Sequence, residues 1–117
     1  MGKTNDRSVV QRNQTLENAQ RKTELDAVKH LMQTPLGRAM AWRILDVTGC
    51  NRPIKYKPNA MDLAHDVGVR ELGDWLLEEI REACPEQELV MRSEYLQRVK
   101  RAQLAEQQAN DESDNPG

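Results

Sequence analysis

The chemistry-bearing side chains of this sequence gather most tightly at Arg52, Lys55, Tyr56 and Lys57, where three cations flank one aromatic ring. That composition suits contacts to phosphates with a base stacked on the tyrosine. Three charges are few for tight binding, and a solvated surface loop is the plain alternative. Arg98, Lys100 and Arg101 make a second basic cluster, partly answered by Glu94 and Glu106.

Other candidate chemistry is sparse. His30 and His65 stand alone on separate segments, and the sequence holds no CxxC, HExxH or EF-hand loop, so neither a metal nor a cofactor is expected. His65 and Asp66 are neighbours and point to different parts of a helix surface, which leaves the imidazole without an orienting partner. Glu78, Glu79 and Glu82 read as an exposed acidic helix face. Ser8, Ser93 and Ser113 lack a nucleophile elbow, and no glycine-rich phosphate loop is present, so the sequence predicts a protein that is not an enzyme.

The elements that carry these residues are helical. Residues 1–22 are rich in Asn, Gln, Arg and Glu, with Val9, Val10 and Leu16 as the sizeable apolar side chains after Met1. Packing alone cannot hold such a helix, so the segment is either a polar helical arm that gains order by docking or a disordered stretch. From Leu25 the pattern tightens to Leu25, Val28, Leu31 and Met32, the spacing of an amphipathic helix.

Thr34 offers an N-cap oxygen and Pro35 fits the first helical position, so a new helix starts there and runs to about residue 48, closed by Gly49. Its Leu36, Met40, Ile44 and Val47 trace one face, widened by Trp42 and Leu45. A loop of ten residues, Cys50 to Asn59, contains two prolines. Asn59 with Asp62 predicts the next helix start. That helix carries Ala64, Gly68, Leu72, Trp75, Leu76, Ile80 and Ala83 on the face expected to pack, with Leu63 and Val67 beside them, and Gly68 and Gly73 ask for close approach of another backbone. Pro85 ends it. A last helix from Glu86 has Met91, Tyr95, Leu96, Val99 and Ala102 as its stripe, supported by Glu88–Arg92 and Glu94–Arg98 pairs.

The pattern predicts an all-α fold, a small helical bundle of about four helices with an extended N-terminal helix and a disordered C-terminal tail. Three regions follow: 1–22 as arm, 23–105 as helical domain, and 106–117 as acidic tail. With no Phe, two Trp and two Tyr, the expected core anchors are Trp42 and Trp75. Net charge is −2, from 19 acidic and 17 basic residues, which argues against duplex DNA as the main partner. The N-terminal residues lack the apolar core of a secretory signal, Asp6 breaks the myristoylation pattern, and no apolar run approaches a membrane span, so the expectation is a soluble chain with no membrane partner. Cys50 and Cys84 bracket a helix of roughly 36 Å, which makes a bridge within one chain unfavourable and predicts two reduced thiols.

Two blocks carry a family resemblance. The first is the polar N-terminal helix leading into Thr34-Pro35-Leu36-Gly37-Arg38, then Trp42-Arg43-Ile44-Leu45, with Gly49 and Arg52 closing the unit. The second is Ala64-His65-Asp66-Val67-Gly68-Val69-Arg70-Glu71-Leu72-Gly73-Asp74-Trp75-Leu76-Leu77, followed by Ala83-Cys84-Pro85. Together, over about residues 25–99, they resemble a family of small tailed-phage (podophage) proteins named for the nineteenth gene product of a Bordetella podophage and encoded among virion-structure genes. The chain departs from that pattern at Pro53-Ile54-Lys55-Tyr56-Lys57, where the family often carries aromatic and Ser or Thr residues.

The resemblance implies a non-enzymatic virion-associated or assembly protein that binds other phage structural proteins through helix faces, made in the host cytoplasm and then carried in the virion. The arm residues Val9, Val10 and Leu16 are its expected contacts, and self-association is open. Two other readings stand beside it. One is a small nucleic-acid-binding or regulatory protein using Arg52, Lys55, Tyr56 and Lys57; the other is a host-directed inhibitor made early in infection.

Overall fold

The computed structural model describes residues 2–114, with side chains from 7 to 113. Four helices follow one another: α1 (Gly2–Leu31), α2 (Pro35–Val47), α3 (Ala60–Ala83) and α4 (Pro85–Asp114), with no strand among the described residues. The all-α expectation holds.

Local chemistry sets the helix ends. The Thr34 hydroxyl accepts from the Gly37 N–H at 3.1 Å, and Pro35, which has no N–H to satisfy, opens α2. Gly49 sits at φ 75° and lets the chain leave α2 in a left-handed turn. Asn59 Oδ1 accepts from the N–H groups of Met61 at 2.9 Å and Asp62 at 3.4 Å, fixing the start of α3. Pro85 forces Cys84 into an extended conformation (φ −157°, ψ 71°) and is itself the first residue of α4, one position earlier than the sequence predicts.

The core is small. Met32, Ala41, Leu45, Leu76, Leu77, Ile80, Cys84 and Met91 are buried together, with Val28, Leu31, Trp42, Ile44, Cys50 and Ala83 packed against them. Every helix contributes, and α1 does so only through its last turns. Trp42 stacks on Tyr95 with ring centroids 4.4 Å apart, and the Arg92 guanidinium lies 5.5 Å above the indole.

Three expectations about helix faces are corrected. Trp75 is not a core anchor: it is 55% exposed, and Leu72 beside it is 57% exposed. The buried side of α3 keeps Leu76 and Ile80 from the expected face and adds Gly73, Leu77 and Glu79. Gly73 selects this rotation, because a Cβ there would meet the Thr48 hydroxyl first and Cys50 at 2.9 Å, whereas one at Gly68, where the sequence also asks for a close approach, would meet nothing within 4 Å. In α2, Leu36, Met40 and Val47 are exposed, and Ala41 with Leu45 is buried, since Ala41 is small enough to admit the neighbouring helices. In α4, Met91 is fully buried whereas Leu96 is exposed.

The tail expected from residue 106 continues α4 as far as Asp114, with residues 106–113 exposed; residues 115–117 lie outside the described residues. Ala, Gln and Glu sustain the backbone there by intrinsic propensity. The extended N-terminal helix is present, and α1 passes without a break through the expected boundary at residue 22.

The molecule is long and flat, 93 × 41 × 15 Å. A helix of thirty residues measures about 45 Å, so 93 Å is close to two such helices end to end. The end of α1 and the start of α4 both enter the core, through Val28, Leu31 and Cys84, Met91. Their free halves therefore lead away in opposite directions. The radius of gyration, 22.3 Å, compares with about 13 Å for a compact domain of this length. Accessible surface is 9476 Å², against about 6,500 Å² for a compact monomer of this mass.

Candidate functional site

Every side chain from Arg7 to Gln20 is exposed, so the described part of the arm makes almost no contact with the rest of the chain. Val9, Val10 and Leu16 are 53%, 54% and 63% exposed. Val9 and Leu16 are seven residues apart and share a helix line; Val10 lies eighteen residues, or five full turns, before the core residue Val28. The arm therefore offers aliphatic contacts on two adjacent lines. No glycine or proline interrupts α1 between Arg7 and Leu31, which removes the usual causes of a kink.

Arg21 is where the arm meets the body. Its guanidinium reaches Glu79 (Nη1 to Oε2, 2.8 Å; to Oε1, 3.0 Å), Glu82 (Nη2 to Oε2, 2.5 Å) and Glu24 (3.1 Å). Hydrogen bonds to Glu79, Glu82 and then Glu24 hold the Arg21 proton more firmly than in water. The acidic cluster Glu78, Glu79 and Glu82, a plain exposed face in the sequence, is thus partly the seat of α1. Glu79 is buried beneath it.

The basic loop folds beside a crevice of about 400 Å³ between the end of α2 and the first half of α3. Arg52, Lys55 and Lys57 line it, and Tyr56 does not; its ring is 83% exposed. Lys57 pairs with Asp66 at 2.7 Å, and this contact raises its pKa. Arg52 donates to the Asp46 carbonyl at 2.7 Å and Arg70 to the Arg52 carbonyl at 3.0 Å. Val47, Ile54, Val69 and Pro53 form an apolar wall. The structure brings together Arg52, Lys55 and Lys57, adds His65 and Arg70, and points the tyrosine away.

Cys50 and Cys84 are free thiols. The Cys50 thiol donates to Asp74 Oδ1 at 3.1 Å, and burial followed by that bond pushes its pKa up; burial does the same for Cys84. Among the described residues no cluster of three His, Cys, Asp or Glu is placed to hold a metal ion, and no helix is long and apolar enough to cross a membrane.

No family model, curated protein or solved structure matches the chain. What it does must be read from its own surface.

Two features of that surface escape sequence reading. Arg21 is one of several cations in a polar helix, and only the fold sets it against carboxylates about sixty positions later. The exposed apolar line on α3 is legible as an apolar line, but nothing in its spacing marks it as facing outward.

Proposed function

We propose that the chain is a non-enzymatic phage virion-associated or assembly protein that binds other phage structural proteins through its helix faces, with the arm of α1 as the principal docking element. The observation carrying this reading is the arm itself. A stretch with every side chain exposed from Arg7 to Gln20 presents three aliphatic residues in water and is seated on the body by Arg21. Isolated helices of this length are marginal, and a groove that accepts Val9, Val10 and Leu16 would supply the missing burial. The resemblance of the Thr34–Arg52 and Ala64–Leu77 blocks to the podophage family supplies the setting. Synthesis in the host cytoplasm followed by incorporation into particles belongs to the same proposal.

The test is mass spectrometry of density-purified particles made with the native chain and with Val9→Asp, Val10→Asp and Leu16→Asp together. The expected result is the native chain in particles and the triple variant absent from them while its circular dichroism stays helical. A triple variant incorporated as well as the native chain would overturn the arm as docking element. Absence of the native chain from particles would remove the virion-associated form and leave an assembly factor.

The crevice favours a second reading, a small nucleic-acid-binding protein. Among the described residues Arg52, Lys55 and Arg70 have no carboxylate partner and stand around one opening. A gel shift that weakens steeply with salt and disappears in Arg52→Glu/Lys55→Glu would support it, since phosphate contacts release counterions. Absence of a shift at low salt would end it.

A further inference from the structure

The crevice between the end of α2 and the first half of α3 gathers positive charge in a chain whose own balance is −2. Four cations line it, Arg52, Lys55, Lys57 and Arg70, against the single carboxylate of Asp66, which Lys57 takes at 2.7 Å. One turn beyond Arg70, Asp74 accepts from the Cys50 thiol at 3.1 Å. The two arginines meet neutral atoms instead: Arg52 Nη2 donates to the Asp46 carbonyl at 2.7 Å, and Arg70 Nη1 to the Arg52 carbonyl at 3.0 Å.

Those two bonds anchor the loop, and they also fix where the guanidiniums stand. Each uses one nitrogen of a fork that carries five N–H donors, so donors remain for a further acceptor and little side-chain freedom is lost when one arrives. Arg70 is half-buried, and a charge beside low-dielectric surface attracts an anion more strongly than one in open water.

The rest of the wall is aliphatic. Val47 and Ile54 are left 66% and 46% exposed there, with Pro53 and Val69 beside them. A strand of phosphates would satisfy the cations and leave this surface wet, because the apolar parts of a nucleic acid are bases that stack on aromatic rings, and Tyr56 does not line the crevice. A bare inorganic anion would likewise cover only the charges. The volume, about 400 Å³, lies at the small end of ligand sites.

We propose that the crevice binds a carboxylate carrying a short branched aliphatic group, with the carboxylate on Arg52 and Arg70 and the aliphatic group against Val47, Ile54 and Val69. A planar carboxylate matches the guanidinium fork. A free branched-chain acid and a protein chain ending in leucine present the same group, and the test separates them. The site lies away from the seat of α1 at Glu79 and Glu82, so it stands or falls separately from arm docking. It replaces the polyanion of the second reading with a single anionic group.

The test is titration of the full chain by two-dimensional amide NMR with isocaproate and with acetyl-glycyl-leucine. Saturable shifts confined to the crevice residues are expected, with a dissociation constant on the order of 1 mM for a ligand this small. Isocaproamide, acetate and inorganic phosphate are expected to bind about tenfold more weakly or less, since each lacks the charge or the aliphatic group. Arg52→Gln and Arg70→Gln keep a donor for the loop carbonyls and remove the charge, and each is expected to weaken isocaproate about tenfold. Lys55→Gln, on the exposed loop, is expected to weaken it less and serves where an arginine variant loses the native spectrum. Tighter binding of the peptide assigns the ligand to a chain terminus, and tighter binding of isocaproate assigns it to a free acid. Absence of saturable shifts, equal binding of the amide, acetate or phosphate, or affinity unchanged in all three variants overturns the proposal. A single-stranded oligonucleotide that shifts these signals when neither carboxylate does overturns it in favour of the nucleic-acid reading.

Discussion

Arg38 spans from α2 to α4, with Nε donating to Glu94 Oε1 at 2.6 Å and Nη1 donating to the Met32 carbonyl at 2.8 Å. Both side chains are largely covered, at 11% and 22% exposure. One guanidinium thus ties the end of α1, the start of α2 and the middle of α4. Gly37 beside it packs so closely on the Leu31 carbonyl that a Cβ would collide with that backbone.

Arg38→Ala leaves Glu94 and the Met32 carbonyl without their donor in a half-covered site. The expected loss is about 2–3 kcal/mol in urea unfolding at neutral pH. Arg38→Lys is expected to recover only part of it, since an ammonium cannot present two donors at the guanidinium's spacing.

The two tryptophans separate cleanly. Trp42 is packed against Tyr95 and Arg92, so Trp42→Ala is expected to cost about 3 kcal/mol by thermal or chemical unfolding. Its Nε1 is buried with no acceptor among the described residues, so Trp42→Phe, which removes that donor, is expected to cost clearly less. Trp75→Ala changes monomer stability by no more than about 0.5 kcal/mol, as for an exposed position.

Glu88 accepts from Arg81 at 2.9 Å and from Arg92 at 3.2 Å, and the Arg81 hydrogen bond does most to hold its carboxyl below the usual glutamate range. Unfolded Glu88 titrates near 4.3. A folded pKa below that means the stabilisation is complete above the unfolded value and is lost as pH falls through the folded one. Glu88→Gln is expected to lower stability at pH 7 and to flatten the decline below about pH 4, measured by denaturation across pH.

Alkylation rates report on the thiols. Burial raises the pKa of both, so each is expected to react at pH 7.5 more slowly than a free cysteine. Cys84, buried under the α3–α4 turn, reacts slower still, and Asp74→Asn speeds Cys50 by removing the carboxylate that opposes its thiolate. Mass spectrometry after timed iodoacetamide treatment reads both.

Helix ends were legible from sequence because the groups that set them are local: Thr34 with Gly37, Asn59 with Met61, Pro85 after Cys84. Helix rotation was not. In α2 and α3 two apolar lines compete, and the choice between Leu36–Met40–Val47 and Ala41–Leu45, or between Leu72–Trp75 and Leu76–Ile80, is made by small residues at crossings. Ala41 and Gly73 admit a neighbouring helix, and the larger side chains are turned outward. The bareness of the arm could be read from its composition. The neutralisation of Lys57 by Asp66 could not, because a loop without periodicity gives no account of what it folds beside.

The unbroken course of α1 from Arg7 to Leu31 has a mechanical side. A helix free of kink-forming residues keeps its length, so whatever grips Leu16 is held about 18 Å along the axis from Val28, at 1.5 Å per residue. Such a rod works as a ruler: it fixes how far the four-helix body stands from its anchor. One residue removed from the exposed part shortens the spacing by about 1.5 Å and turns the grip by about 100° around the axis.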